Sequence, residues 1–141
     1  MNSELLRASL KLAEGVKAKP YADTVGKLTI GVGRNLADTG LRPAEIDFML
    51  TNDITEAWTQ VTRTWPWVHD LSDVRQRVLT EMVFQMGLGG VGAFKKALAA
   101  MEIGDFATAS AEMLNSHWAA QTPNRAHRLA TMMATDQDVT A

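Results

Sequence analysis

The sequence contains no cysteine, so no disulfide bond contributes to its fold. It also lacks long apolar runs. Charged residues recur through the first fifteen positions, MNSELLRASLKLAEG, where a signal peptide would need an uninterrupted apolar segment. No segment reaches the roughly 20 apolar residues that span a membrane. We therefore expect a protein that tolerates a reducing cytoplasm, does not insert into membranes, and needs another protein for export if its substrate lies outside.

An excess of charge of one sign is also missing. The net charge is −2, which gives no general attraction to nucleic acids. Residues 1–42 hold seven Lys or Arg against four Asp or Glu. This local basic excess could attract an anionic polymer, or it could be ordinary solvated surface charge, and the sequence leaves both interpretations open. With 141 residues and 46% hydrophobic composition, the chain is long enough for one domain with a real core.

The first third of the chain predicts a helix followed by a small sheet. The helix should run from about Asn2 or Ser3 to Glu14, with Ser3 as its N-cap and Gly15 directly after it. Proline and glycine punctuate short β-prone runs in residues 18–34, which favours an antiparallel sheet. Residues 23–26, Asp-Thr-Val-Gly, are typical of a turn between two strands.

The rest of the chain predicts helices. A long helix spans about 43–63, Trp65-Pro66-Trp67 breaks it, and an apolar helix at 73–86 precedes a glycine-rich loop at 87–92. Shorter helices follow at about 93–101, 105–114 and 124–134, and residues 136–141 should be frayed. The fold class is α+β, mainly α. We expect one domain over 1–141, with a helix and β-lobe at about 1–42, a connecting helix at about 43–63 and a helical lobe at about 67–135.

Three side chains near the start carry the strongest chemical signal. Glu14 at a helix end, Asp23 at a turn and Thr29 on the next strand can face one cleft. One carboxyl group that donates a proton and a second that activates water are what hydrolysis of a glycosidic bond requires. Each residue also has a structural interpretation, as a solvated glutamate, a turn-capping aspartate and an ordinary strand threonine. Spacing alone leaves both interpretations open.

No other motif indicates a cofactor. His69, His117 and His127 lack the spacing of metal ligands and are expected to be solvated or to cap helices. The GLGGVG segment follows a helix rather than a strand, so it is a loop rather than a phosphate-binding site. We therefore expect no metal and no cofactor. The eight methionines are typical of core filling, and three tryptophans are expected to pack within the lobes: Trp58, Trp65 and Trp67.

The pattern EG-x5-Y-x-D-x2-G-x2-TIG-x-G at 14–33 resembles the T-even phage lysozyme type, the family 24 glycoside hydrolases. The resemblance continues through MVFQMG (82–87), GVGAF (90–94) and QTPNRA (121–126), and it is strongest over 4–36 and 71–131. It implies a two-lobed phage-lysozyme fold with the small sheet in the N-terminal lobe. It also implies inverting hydrolysis of the β-1,4 bond between N-acetylmuramic acid and N-acetylglucosamine in peptidoglycan. The alternatives are a lytic transglycosylase and a catalytically inactive murein-binding protein.

The resemblance also assigns roles to particular residues. Glu14 matches the general acid, and Asp23 and Thr29 match the pair that orients the attacking water. Arg125 matches an arginine that pairs with the catalytic glutamate. Three further residues match the wall of the glycan cleft: Phe84, Gln85 and Trp118.

The sequence departs from the family at two positions. Arg34 stands where relatives usually carry a histidine whose partner corresponds to Asp53, so we predict an Arg34–Asp53 ion pair, with a free surface arginine as the alternative. Glu81 stands where close relatives have asparagine. We predict that it acts on Glu14 or shares Arg125, with pairing elsewhere or exposure to solvent as the alternative.

The family resemblance carries cellular expectations too. The protein is expected to act on the peptidoglycan glycan strand as a monomer, to accumulate in the host cytoplasm and to work in the periplasm or cell wall during phage-driven lysis. A separate holin-type protein would release it. The segment between the sheet and the long helix, residues 35–42, is shorter than in the family, which implies a smaller upper lobe and a more open cleft.

Overall fold

The computed structural model describes residues 1–140 of the chain. They divide into two compact units, Met1–Met49 and the part from Leu50 onward. Within residues 1–140 the secondary structure consists of seven α-helices, one 3-10 helix and one three-stranded sheet. The predicted α+β class with predominant helix is therefore confirmed.

Helix α1 spans Ser3–Glu14 and is capped at both ends by side-chain or backbone groups. The N-cap is Asn2 rather than the predicted Ser3, because the extended backbone of Asn2 lets its Oδ1 accept the N–H of Leu5 at 3.0 Å. At the other end Gly15 has φ 75° and donates its N–H to the carbonyl of Lys11 at 3.0 Å. These caps fix where α1 stops, and therefore where Glu14 lies.

The sheet consists of three antiparallel strands in sequence order: β1 (Lys17–Ala22), β2 (Leu28–Gly31) and β3 (Arg34–Asn35). Tyr21 lies opposite Thr29 across the β1–β2 pair. The predicted turn at 23–26 is confirmed, since the N–H of Gly26 donates to the carbonyl of Asp23 at 3.0 Å and Gly26 has φ 81°. The sheet thus delivers Asp23 and Thr29 at the same end of one hairpin.

The remaining elements are helices. They are α2 (Pro43–Thr64), the 3-10 helix Pro66–Asp70, α3 (Asp73–Gly92), α4 (Lys95–Glu102), α5 (Phe106–Leu114), α6 (His117–Gln121) and α7 (Pro123–Thr135). The division between the two units falls within α2. None of the helices in residues 1–140 combines the length and apolar character needed to cross a membrane.

Two details of the helical region differ from prediction. The break at Gly87 is present, with φ 77° and ψ 165°, but the chain resumes a helical course to Gly92 where a loop was predicted. Helix α6 was not predicted, because five residues are too few to show a helical period. Its N-cap is Ser116, whose Oγ accepts the N–H of Ala119 at 3.1 Å.

The hydrophobic core lies in the second unit and is built from α2 to α7. The largest fully buried side chains are Leu79, Met82, Met101, Met113, Leu129, Met133, Val61, Val68, Val78 and Val91. Of the eight methionines, five are buried, which confirms their predicted use as core filler. The three tryptophans predicted to pack, at positions 58, 65 and 67, lie against this core.

The C-terminal tail is bound to α3 and the core, so the predicted fraying is wrong for residues 136–139. Arg77 donates its two Nη groups to Asp138 at 2.8 and 3.1 Å, and Val139 packs against the core. A bidentate arginine–carboxylate pair and an apolar contact together order a chain end that would usually be poorly ordered. Ala141, also part of that prediction, lies outside the described residues.

Candidate functional site

Glu14 is the last residue of α1, and its carboxylate lies against the turn between β2 and β3. A Cβ atom placed on Gly33 in that turn would lie 2.9 Å from Oε2 of Glu14 and 3.0 Å from its Cδ. Gly33 also has φ 70°, a conformation that side chains rarely adopt. Glycine at this position therefore leaves room for the Glu14 carboxylate beside the sheet. The sequence signal for this close approach was Gly33 itself, the last residue of the TIGVG segment, and the sequence analysis did not use it.

Asp23 and Thr29 share a hydrogen-bond acceptor. The backbone N–H of Asp23 and the hydroxyl Oγ1 of Thr29 both donate to the carbonyl of Lys27, each at 2.9 Å. Thr29 is 4% exposed and is the one buried polar residue within residues 1–140. The shared carbonyl thereby fixes the two predicted water-holding residues relative to each other. A backbone acceptor of this kind leaves no signal in the sequence.

The Asp23 carboxylate also shapes its own turn. Its Oδ1 accepts the N–H groups of Val25 at 3.0 Å and Lys27 at 2.8 Å, as the structural interpretation of this aspartate predicts. Its Oδ2 accepts no hydrogen bond from any of residues 1–140. Turn capping thus occupies one oxygen and leaves the other available for chemistry, so the two interpretations of Asp23 are compatible.

Arg34 pairs with Glu45, so the predicted partner, Asp53, is wrong. Nη1 and Nη2 of Arg34 donate to the two carboxylate oxygens of Glu45 at 2.8 and 2.7 Å. The backbone N–H of Arg42 also donates to Glu45, at 2.7 Å. These donors, Arg34 first, lower the pKa of Glu45 to about 2, and the same contact raises the pKa of Arg34. A glutamate three residues into a helix is typical of a capping box, which was the overlooked signal.

Glu81 holds two arginines of α7 through one oxygen. Nε of Arg125 and Nη2 of Arg128 donate to its Oε1 at 3.0 and 2.5 Å. The predicted sharing of Arg125 by Glu81 is therefore present in the structure. An effect of Glu81 on Glu14 stays a prediction. The pairing of Arg125 with Glu14 also stays a prediction. Arg128 was not predicted from the sequence. It lies three residues after Arg125 on α7, and residues at this spacing are neighbours on a helix surface, so it could have been found.

The three residues predicted for the glycan cleft differ in exposure. Phe84 is 46% exposed and offers an aromatic surface, whereas Trp118 is only 6% exposed. Nε1 of Trp118 donates to Oε1 of Gln85 at 2.9 Å, and Phe94 packs edge-on against its ring. Trp118 is therefore a packing residue that orients the Gln85 amide. Contact of these residues with a glycan stays a prediction.

Within residues 1–140, no group of three or more His, Cys, Asp or Glu side chains could hold a metal ion. The carboxyl groups of Glu14 and Asp23 and the hydroxyl of Thr29 are of the types suited to proton transfer and to hydrogen bonding of water.

A mainly helical chain with a small three-stranded antiparallel sheet is consistent with the α+β fold of phage lysozymes. The family model described as phage lysozyme matches residues 11–131. The chain belongs to the phage lysozyme family.

Relatives at about 30% identity come from two kinds of organism. Probable T4-type lysozyme 1 of Dictyostelium discoideum is 30% identical over 159 positions, which cover 92% of this chain and 94% of the relative. Its second form, Probable T4-type lysozyme 2, is 28% identical with the same coverage. The pre-baseplate central spike protein Gp5 of Enterobacteria phage T4 is 30% identical over 89% of this chain but only 27% of its own length.

Proposed function

We propose that this protein is a muramidase that hydrolyses the β-1,4 bond between N-acetylmuramic acid and N-acetylglucosamine in peptidoglycan. One observation carries the proposal. In a chain of the phage lysozyme family, the Glu14 carboxylate lies against Gly33 of the hairpin, and Asp23 and Thr29 are joined through one backbone carbonyl of the same unit. Four supporting positions rest on the family resemblance: Phe84, Gln85, Trp118 and Arg125. Arg34 and Glu81, where the chain departs from the family, are proposed as further supporting positions.

The hydrogen bonds suggest how the attacking water is held. The Thr29 hydroxyl donates its only proton to Lys27, so its oxygen retains lone pairs that accept a hydrogen bond from water. The free Oδ2 of Asp23 accepts the other water proton. A water that donates to both residues presents its own lone pair to the anomeric carbon. Glu14 protonates the departing glycosidic oxygen, Asp23 takes the proton released by the water, and the configuration at the anomeric carbon inverts.

The biological role that we propose is that of a phage endolysin. Membership of the phage lysozyme family supports it. In this role the protein accumulates as a monomer in the host cytoplasm, reaches the periplasm through a separate holin-type protein, and lyses the cell by cutting the glycan strand. Expression of this chain alone tests the export step. The cells should stay intact until the inner membrane is permeabilised, and lysis with an intact inner membrane would contradict the step.

The decisive experiment compares Glu14→Gln with the wild type in clearing of a purified peptidoglycan suspension. The amide keeps the shape of the side chain but cannot donate the proton, so activity should fall about 10²- to 10⁴-fold. Glu4→Gln is the matched control, since it removes the same charge from the exposed first turn of α1. We expect it to clear at the wild-type rate.

The reaction products separate the alternatives. Hydrolysis gives a free reducing end, whereas a lytic transglycosylase leaves a 1,6-anhydro end. A murein-binding protein without catalysis would sediment with peptidoglycan but release nothing. A Glu14→Gln variant that clears as fast as the wild type would refute the assignment of the acid.

A further inference from the structure

Lys27 joins the two proposed water-holding residues through its backbone, while its side chain has no part in the proposed reaction. Its carbonyl accepts the N–H of Asp23 and the hydroxyl of Thr29, each at 2.9 Å. Its own N–H donates to Oδ1 of Asp23 at 2.8 Å. Because three hydrogen bonds link Lys27 to these two residues, a shift of its backbone would displace both of them.

The Lys27 side chain contacts the turn that follows β3. Its Nζ lies 3.3 Å from Oδ1 of Asp38, eleven residues further along the chain. The two side chains are 47% and 59% exposed, so the ion pair alone contributes little free energy. Its value as a restraint on Lys27 therefore depends on how firmly Asp38 is held.

Asn35 holds Asp38 at two points. The Nδ2 group of Asn35 donates to Oδ2 of Asp38 at 2.9 Å, and its Oδ1 accepts the N–H of Asp38 at 3.0 Å. Asn35 is the last residue of β3 and lies opposite Thr29 in the β2–β3 pair. The Lys27–Asp38 contact therefore connects the residue before β2 to the turn after β3. Together these contacts form a closed circuit of four residues that includes Thr29.

On the basis of the proposed muramidase function, we propose that the Lys27 side chain and Asp38 are positioning residues for the hydrolysis. Their ion pair restrains the Lys27 backbone, and the Lys27 carbonyl in turn fixes Asp23 and Thr29 at the spacing that the attacking water needs. A small displacement of groups that orient a reactant slows the reaction even though the groups themselves are intact. The ammonium of Lys27 and the carboxylate of Asp38 thus act through the backbone rather than on the substrate.

Steady-state kinetics of the full chain on soluble peptidoglycan fragments test this role. Lys27→Met removes the ammonium and keeps the length of the side chain, whereas Asp38→Asn removes the charge of its partner. Each change should lower kcat about two- to fivefold and leave KM close to the wild-type value, because an exposed ion pair has a modest free energy.

Two further variants separate the ion pair from a general effect of charge. Lys27→Arg keeps a cation within reach of Asp38, so it should retain the wild-type kcat. Lys19→Met is the matched control, since Lys19 is exposed on β1 and the substitution is identical. It should also leave kcat unchanged.

A double variant and amide exchange show whether the two side chains act through one contact. Lys27→Met combined with Asp38→Asn should lower kcat no more than either change alone, because both remove the same ion pair. In the protein without substrate, the N–H groups of Asp23 and Lys27 should exchange faster in each single variant and at the wild-type rate in Lys19→Met.

Four results would overturn the positioning role: a wild-type kcat in both single variants, a loss that appears in KM, additive losses in the double variant, or unchanged exchange at Asp23 and Lys27. If these variants keep the wild-type kcat while Glu14→Gln is inactive, the proposed function stands and the positioning role alone is refuted. A wild-type protein that releases no fragments would refute the proposed function, and with it the positioning role.

Discussion

The two units of this chain are stabilised in different ways. The twenty apolar residues that are buried within residues 1–140 all lie from Ala57 onward, in the second unit. Among residues 1–49, all of which the structure describes, Thr29 is the single buried residue. Yet that first unit holds Glu14, Asp23 and Thr29. Apolar packing and the proposed chemistry therefore occupy different parts of the sequence.

Polar bonds of short range hold the first unit in shape. Asn2 caps α1, Asp23 closes the β1–β2 turn, and Glu45 ties Arg34 of β3 to the first turn of α2. Polar bonds of this kind, made at or near the surface, contribute less than the burial of an apolar side chain. The first unit should therefore exchange its amide protons faster than the second. The comparison predicts that mutations separate activity from stability.

Asp23→Asn should give the largest effect on activity with little effect on structure. Asparagine keeps an Oδ1 that accepts the N–H groups of Val25 and Lys27, so the turn survives. It cannot accept the water proton, so peptidoglycan clearing should fall at least about 100-fold, while the unfolding midpoint stays close to that of the wild type.

Asp23→Ala provides the contrast, because it removes the turn cap as well. It should lose the same activity and also about 0.5–2 kcal/mol of stability, measured by urea unfolding. Full activity in Asp23→Asn would leave Asp23 with a structural role alone. If Asp23→Asn lost as much stability as Asp23→Ala, the charge of Asp23 rather than its acceptor oxygen would hold the turn.

Leu129→Ala should give the largest effect on stability. Leu129 is 0% exposed in α7, so truncation leaves a cavity and costs about 2–5 kcal/mol of unfolding free energy. Leu12→Ala in α1 is the matched substitution in the first unit. Leu12 is 89% exposed, and its truncation should change the unfolding free energy by less than about 0.5 kcal/mol. Equal costs for the two leucines would break the contrast between the units.

Periodic and turn-rich segments of this chain could be predicted from the sequence alone. The turn at Asp23, the helix end at Gly15 and the break at Gly87 are local, since each depends on a residue with a special backbone or side-chain preference. The five-residue α6 could not be predicted, because it is shorter than two helical turns.

Contacts between distant residues were the harder part of the prediction. The tail was expected to fray because nothing near Asp138 in sequence binds it, whereas its partner, Arg77, lies 61 residues away. For Arg34 an ion pair with Asp53 was predicted, with a free surface arginine as the alternative. The observed partner, Glu45, depends on how the chain turns between β3 and α2. The candidate site shows a different limit. Asp23 and Thr29 are joined by a backbone carbonyl, a group that every residue carries and that leaves no signal in the sequence.

Glu45→Gln should give the smallest effect, and one that depends on pH. The pKa of Glu45 is lowered to about 2 in the folded chain, chiefly by Arg34, from an ordinary value of 4.5. A carboxyl group with a lowered pKa binds protons more readily when unfolded, so its contribution is complete above about pH 4.5 and disappears as the pH falls through 2. The difference in unfolding free energy between the wild type and Glu45→Gln should therefore be largest near neutral pH and shrink between pH 4.5 and 2.

The measurement is urea unfolding of both proteins at several pH values in that window, together with amide exchange at Arg42, whose N–H donates to Glu45. Glu102→Gln, at an exposed position in the last turn of α4, controls for the loss of charge alone. Exchange at Arg42 should accelerate in Glu45→Gln and stay slow in Glu102→Gln, because the broken contacts are local to the first unit. If the difference in unfolding free energy between the wild type and Glu45→Gln is the same at pH 2 and pH 6, the ion pair does not help to hold β3 against α2. Only the contacts of Asn2 and Asp23 would then remain as the polar bonds that stabilise the first unit.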